Sequence, residues 1–127
     1  MSAVDEIKHV VVLILENHSF DQMLGCMSAV YPDLDGIDPN NLRSNADGTN
    51  PPISQKETGE RMMVNDPHHE VEHVAMQLSN GNGGFVQNFV KMYPASSHDD
   101  RQNIMGYYRL DSLPALHPLA DSRLPAY

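Results

Sequence analysis

Val10-Val11-Val12-Leu13-Ile14-Leu15-Glu16-Asn17-His18-Ser19-Phe20-Asp21 is the strongest apolar run in the chain, and it breaks off into a cluster of polar residues. Branched aliphatics without alternation predict a strand buried on both faces, the state of a central strand in a parallel sheet. Ligands collect at the carboxyl ends of such strands, and Glu16 and Asn17 fall at that end. Ser19-Phe20-Asp21-Gln22 fits a capping box, with Ser19 accepting from the backbone and Gln22 reaching back. Phe20, Met23 and Leu24 predict the apolar face of a short helix closed by Gly25. A carboxylate and an amide thus meet at a strand-to-helix turn, beside a helix N-terminus that attracts anions. The plainer alternative is a buried strand and a capped helix joined by solvated polar residues. The pattern alone leaves both open.

The 127 residues amount to at most one ordinary domain. A net charge of -9 opposes nucleic acid and anionic membrane as electrostatic partners. It is compatible with cation binding, although a solvated acidic surface carries the same sign. Cys26 is the only cysteine, so an intrachain disulfide is excluded and no redox compartment is indicated. The first nine residues carry acids where a signal peptide needs positive charge, and the apolar run is too short for a membrane span. No export signal and no transmembrane segment are therefore expected.

After the first helix, Tyr31 to Ser54 reads as loop, punctuated by Pro32, Asp35-Gly36, Asp38-Pro39, Asp47-Gly48 and Pro51-Pro52. A stretch of this length suggests a surface excursion near a site, or a segment that packs on something absent here. Met62-Met63-Val64 predicts a short strand. Asp66-Pro67 predicts a helix start, with Asp66 as N-cap and Pro67 in the first position. Val71, Val74, Ala75 and Leu78 would be its inward face. Asn80-Gly81-Asn82-Gly83-Gly84 ends it. A third helix is predicted over Phe85–Met92, with Phe85, Phe89 and Val90 inward and Tyr93 non-helical before Pro94. Asp99-Asp100 begin a fourth, with Ile104, Met105 and Tyr108 buried. Ser112 to Ala120 predicts a helix through Leu113, Leu116 and Leu119 that Pro118 should kink or shorten.

One doubly buried strand needs parallel neighbours on both sides and helices on both faces. The sequence offers at most one further weak strand. The expected fold class is therefore α/β, an N-terminal fragment of an α/β/α sandwich with a mostly parallel sheet. Either a longer chain or a second chain would complete its core.

Two constellations could carry chemistry. His69-Glu70-Val71-Glu72-His73 satisfies the H-E-x-x-H pattern of zinc proteases. There, two histidines on one helix face ligate zinc and the glutamate is general base. A short string of this kind has a real false-positive rate. No histidine follows at the metzincin spacing, so only His98, Asp99 or Asp100 could be a third ligand. The alternative is an exposed polar helix face. The second constellation is distributed over Glu16 and Asn17, the Asp66-Pro67-His68-His69 turn, and the Gly-rich loop before Phe85. Carboxylate and amide oxygens suit a hard-to-intermediate cation, and histidine can donate to a phosphate oxygen. Spacing alone does not bring these three places together.

The residues do resemble a family. Ile7 to Gly25, with Glu16-Asn17-His18-Ser19-Phe20-Asp21 at its centre, is similar to the N-terminal signature of the bacterial phosphoesterases. These include non-haemolytic phospholipases C and a related acid phosphatase, within the alkaline phosphatase superfamily. His18 stands where Arg is commoner. Further matches follow in order. They are Tyr31-Pro32-Asp33-Leu34-Asp35-Gly36, then Asp66-Pro67-His68-His69-Glu70 with Gln77-Leu78, then Asn82-Gly83-Gly84-Phe85-Val86. Ile104-Met105-Gly106-Tyr107-Tyr108 through Leu113-Pro114-Ala115-Leu116 completes the set.

The resemblance implies a metal-dependent hydrolase of phosphate esters, acting on a phosphate-ester or phospholipid substrate. It implies that residues 1–127 are the N-terminal part of the domain. Glu16 and Asn17 would be ligands of a divalent metal ion, and His69 an active-site histidine near the phosphoryl group. Glu70, Glu72 and His73 would then be helix residues without a catalytic role. In the family the nucleophile and a pair of metal-binding aspartates lie beyond the Leu-Pro-x-Leu segment, so this chain alone is expected to be inactive. A zinc protease and a non-catalytic remnant that binds a partner chain are the alternatives. Family members are often exported.

Overall fold

The computed structural model describes His9, Val12, residues 18–48 and residues 51–121. The predicted strand over Val10–Leu15 and its end at Glu16 and Asn17 lie outside the described residues, Val12 excepted, which is exposed. The rest is a mixed α/β arrangement of short elements, as the α/β reading expects. Its helices are α1 (Phe20–Leu24), α2 (Val71–Gln77), α3 (Ser79–Asn82), α4 (Phe85–Met92), α5 (His98–Asn103) and α6 (Leu116–Ala120). Its strands are β1 (Ser44–Asn45), β2 (Ile53–Ser54), β3 (Lys56–Glu57) and β4 (Gly106–Tyr107). β1 and β2 pair antiparallel, with Ser44 opposite Ser54. β3 and β4 pair parallel, with Lys56 opposite Gly106.

Ser19 caps α1 as expected, accepting from the Gln22 amide at 3.1 Å. The second half of the box is redirected, because Gln22 Oε1 bonds His18 Nδ1 at 2.7 Å. Phe20 was expected inward and is instead 46% exposed. Gly25 stays right-handed and leads into a 3-10 turn over Gly25–Ala29. Its missing side chain serves packing, since a Cβ there would stand 2.8 Å from Ile37 Cγ1.

The core gathers Ile53, Val86, Phe89 and Ile104, with Met63, Phe85, Val90, Tyr93 and Met105 against it. α4 supplies the most and matches its predicted bounds, and Tyr93 leaves the helix at φ -126°, ψ 72°. Residues 31–54 are mostly turns, as expected, and are fastened to the body. Asp47, buried, meets Arg101 of α5 at 3.1 Å, and Asn45 Oδ1 accepts from the Phe85 amide at 3.0 Å.

Several expectations are corrected. Met62–Val64 forms no strand: Met62 and Val64 are exposed while Met63 packs inward, an extended alternation without a ladder partner. The Asp66-Pro67 helix start is wrong by four residues. α2 begins at Val71 with Glu70 as its N-cap, because carbonyls of the preceding turn are taken by side chains. Gln77 Nε2 donates to the His68 carbonyl at 2.6 Å, and the Tyr93 hydroxyl to that of Asp66 at 3.1 Å. The inward face of α2 is also inverted. Val71 is 85% and Leu78 60% exposed, whereas His73, Met76 and Gln77 face α4. α5 ends at Asn103, so the buried Ile104 and Tyr108 follow it rather than belong to it. α6 is shortened to Leu116–Ala120, which leaves Pro118 in the first turn, where no amide is needed. Leu119 points outward.

Candidate functional site

The Asp66–His69 turn forms one wall of a cleft of about 550 Å³. The other motif segments, apart from Tyr31–Gly36 and Leu113–Leu116, each bring at least one residue to the same cleft. His18, Ser19 and Gln22 line it from the end of the opening signature, and Gln77 from α2. Phe85 comes from the start of α4, and Ile104 and Tyr108 from the segment after α5. The cleft is anchored across its floor, where the Tyr108 amide donates to the Gln22 carbonyl at 2.9 Å.

Its polar lining includes His18, Arg61, His68 and His69, with Glu60 and Asp66 as acidic neighbours. Three imidazoles and a guanidinium around one opening can donate hydrogen bonds to an anion, that of the guanidinium being charge-assisted. Met62, Met63 and Phe85 give the same opening an apolar side. Arg61 and His18 were not singled out from the sequence as cleft residues. His69, the expected active-site histidine, lines the cleft and is exposed. Glu16 and Asn17, the expected metal ligands, lie outside the described residues. Their neighbour His18 is at the cleft wall.

The Gly-rich loop does not cradle a ligand through Gly84. A Cβ on Gly84 would collide with the Met76 carbonyl, so this glycine lets α2 and α4 approach. Asn80, Gly81 and Asn82 take left-handed φ values of 54°, 67° and 67°, the conformation that Asn and Gly tolerate best.

His69-Glu70-Val71-Glu72-His73 does not form the helical zinc pattern, since His69 and Glu70 precede the helix. The metal-ligating types that gather among the described residues are His68, Glu70 and His73, with ligand atoms within 4.8 Å of one another. Hydrogen bonds already engage them. His68 Nδ1 lies 3.1 Å from the Glu70 carboxylate, and His68 Nε2 3.3 Å from the Tyr93 hydroxyl. Asn88 Nδ2 lies 3.0 Å from His73 Nδ1. A metal ion bound through either His68 nitrogen or through His73 Nδ1 would displace these bonds. Glu70's own backbone amide, helped by His68, holds its carboxyl below the usual range, so it is an anion here.

Asn88 is the residue the sequence reading missed. It is 1% exposed and lies between Val86 and Phe89 of α4. The available signal was an amide on the otherwise apolar side of that helix.

Known proteins bear on this arrangement. The model of the phosphoesterase family matches residues 7–123. The chain is similar to non-specific phospholipase C1 of Arabidopsis thaliana, at 29% identity over 126 residues. It is also similar to non-specific phospholipase C3 of the same plant, at 43% identity over 53 residues. These matches cover 91% and 42% of this chain, but only 22% and 10% of the two relatives. No solved structure matches. With the family model spanning nearly the whole sequence and its motif segments lining one cleft, the chain belongs to the phosphoesterase family.

Proposed function

We propose that residues 1–127 are the N-terminal part of a phosphoesterase domain that hydrolyses phosphate esters, of phospholipase C or acid phosphatase type. The observation that carries this reading is the convergence of the motif segments on one cleft lined by His18, Arg61, His68 and His69. In this reading the phosphoryl oxygens sit against the Arg61 guanidinium and the imidazoles, and His69 donates to one of them. Glu16 and Asn17 would hold a divalent metal ion, which when bound would polarise the phosphoryl group. The described residues put no geometry on that metal. The zinc protease alternative is weaker, because its two histidines do not share a helix face.

The chain alone would lack the nucleophile, so catalysis would need the rest of the domain, in the same chain or a second one. The exposed apolar stripe of Val71, Val74 and Leu78 on α2 supports this, as a surface that a further layer would cover.

The test begins with inorganic phosphate titrated into the full chain while the histidine ring signals are followed by NMR. His69 and His18 should shift together with millimolar affinity, and His69→Ala should weaken binding about ten-fold. Silence of both rings would refute the anion-site reading. p-Nitrophenyl phosphorylcholine should not be hydrolysed by this chain. Hydrolysis lost in Glu16→Ala would overturn its inactivity and retain the metal site. Casein cleavage lost in Glu70→Gln would favour the protease.

A further inference from the structure

We propose that Asn88 positions the cleft: through Gln77 it holds the Asp66–His69 turn, and it decides which nitrogen of His73 carries the proton. The direction of the bonds can be worked out from one end. The His68 carbonyl can only accept, so the Gln77 group 2.6 Å from it is the amide NH2. The same NH2 reaches Asn88 Oδ1 at 3.0 Å. The NH2 of Asn88 must then face His73 Nδ1, at 3.0 Å, and Met76 Sδ, at 3.5 Å. Turning Asn88 over would set two NH2 groups against each other. Turning Gln77 over as well would set its oxygen against the His68 carbonyl. Only one direction satisfies every member. His73 Nδ1 is therefore an acceptor, and its proton sits on Nε2.

Burial gives this network its leverage. An amide as buried as Asn88 is strongly penalised when a partner is lost. A turn that drifted from Gln77 would leave that side chain with one acceptor fewer beside the buried amide. Tyr93, at the end of α4, holds the Asp66 carbonyl of the same turn. The turn that carries His69 to the cleft wall is thus held at two carbonyls, by Tyr93 directly and by Gln77 of α2 backed by Asn88 of α4. The consequence for phosphate rests on the phosphoesterase reading above, but the bond directions do not.

Long-range proton–nitrogen NMR of the histidine rings in the full chain tests this. Wild-type His73 should carry its proton on Nε2. Asn88→Asp replaces the donating NH2 by an accepting oxygen, so a proton should appear on Nδ1. Gln77→Leu removes the donor that fixes the direction of Asn88, so it should shift the His69 ring signals and weaken inorganic phosphate about ten-fold. A wild-type His73 protonated on Nδ1 would overturn the proposal, and so would unmoved His69 signals in Gln77→Leu. Gln77 is only half-buried, so this second variant decides the matter if Asn88→Asp does not fold. If the tautomers behave as stated while phosphate moves nothing in the wild type, the positioning role stands and the phosphoesterase reading of the cleft falls.

Discussion

Replacing Arg101 by methionine should cost this small protein a large part of its stability. The Asp47 side chain is 0% exposed and that of Arg101 17%, with Nη1 3.1 Å from Oδ2. At an effective dielectric of about 20, that separation gives about 5 kcal/mol of attraction. Removing both ions from water takes back most of it, so the intact pair contributes little net. Deleting the cation alone is different, because the carboxylate keeps its desolvation cost and loses its ion-pair partner Arg101. The expected loss is about 3–5 kcal/mol. Arg101 also donates to the Ser96 hydroxyl at 3.2 Å and to the Ser96 carbonyl at 2.9 Å, which places the loss toward the upper end. Arg101→Met combined with Asp47→Leu should recover much of it, since no buried charge remains. Urea unfolding followed by circular dichroism, compared at equal m-values, measures Arg101→Met, Asp47→Leu and the double variant. A loss below about 1 kcal/mol in Arg101→Met, or a double variant equal to the sum of the singles, would refute the reasoning.

Four more outcomes are expected. Gly84→Ala drives a methyl into the Met76 carbonyl and should cost about 1–3 kcal/mol. Gly59→Ala, with open space around it, should stay within about 0.5 kcal/mol in the same urea series. The Ser97 amide, then its hydroxyl, hold the Asp100 carboxyl below the usual range, and Glu70 is lowered by its own amide and His68. Depressed carboxylates stabilise above their unfolded pKa of about 4 and lose that contribution as pH falls through the folded value. Urea midpoints should therefore fall below about pH 4, less steeply in Asp100→Asn; an identical slope in that variant counts against the cap. Burial pushes the Cys26 thiol up, so a thiol reagent at pH 8 should modify it only as the chain opens. Rapid modification without unfolding would contradict its placement.

Local signals were read well where they act locally. Ser19 and the 3.6-residue spacing sufficed for α1, and Gly84 with Pro94 bracketed α4. The strand pairs could not be read, because each strand has two residues and β3 meets β4 from fifty positions away. α2 was misjudged in start and face for a single cause: the Gln77 and Asn88 side chains outcompete its aliphatic stripe in choosing which side turns inward. In the candidate site, the ordered motifs identified His69 and its turn, whereas the meeting of those motifs around one opening needed three dimensions. Arg61 carried no signal of its own.

The inverted seam between α2 and α4 has a thermal consequence. A helix docked through His73, Met76, Gln77 and Asn88 hides less oily surface from water than the Phe89 core does, and heat capacity follows that surface. Detaching α2 should therefore change the heat capacity only slightly, and its grip should vary little between cold and warm conditions. The Phe89 core, built the opposite way, should weaken on cooling. The α2–α4 seam and the Phe89 core therefore respond differently to temperature, and the seam, which supports the turn that holds His69, is the less sensitive one.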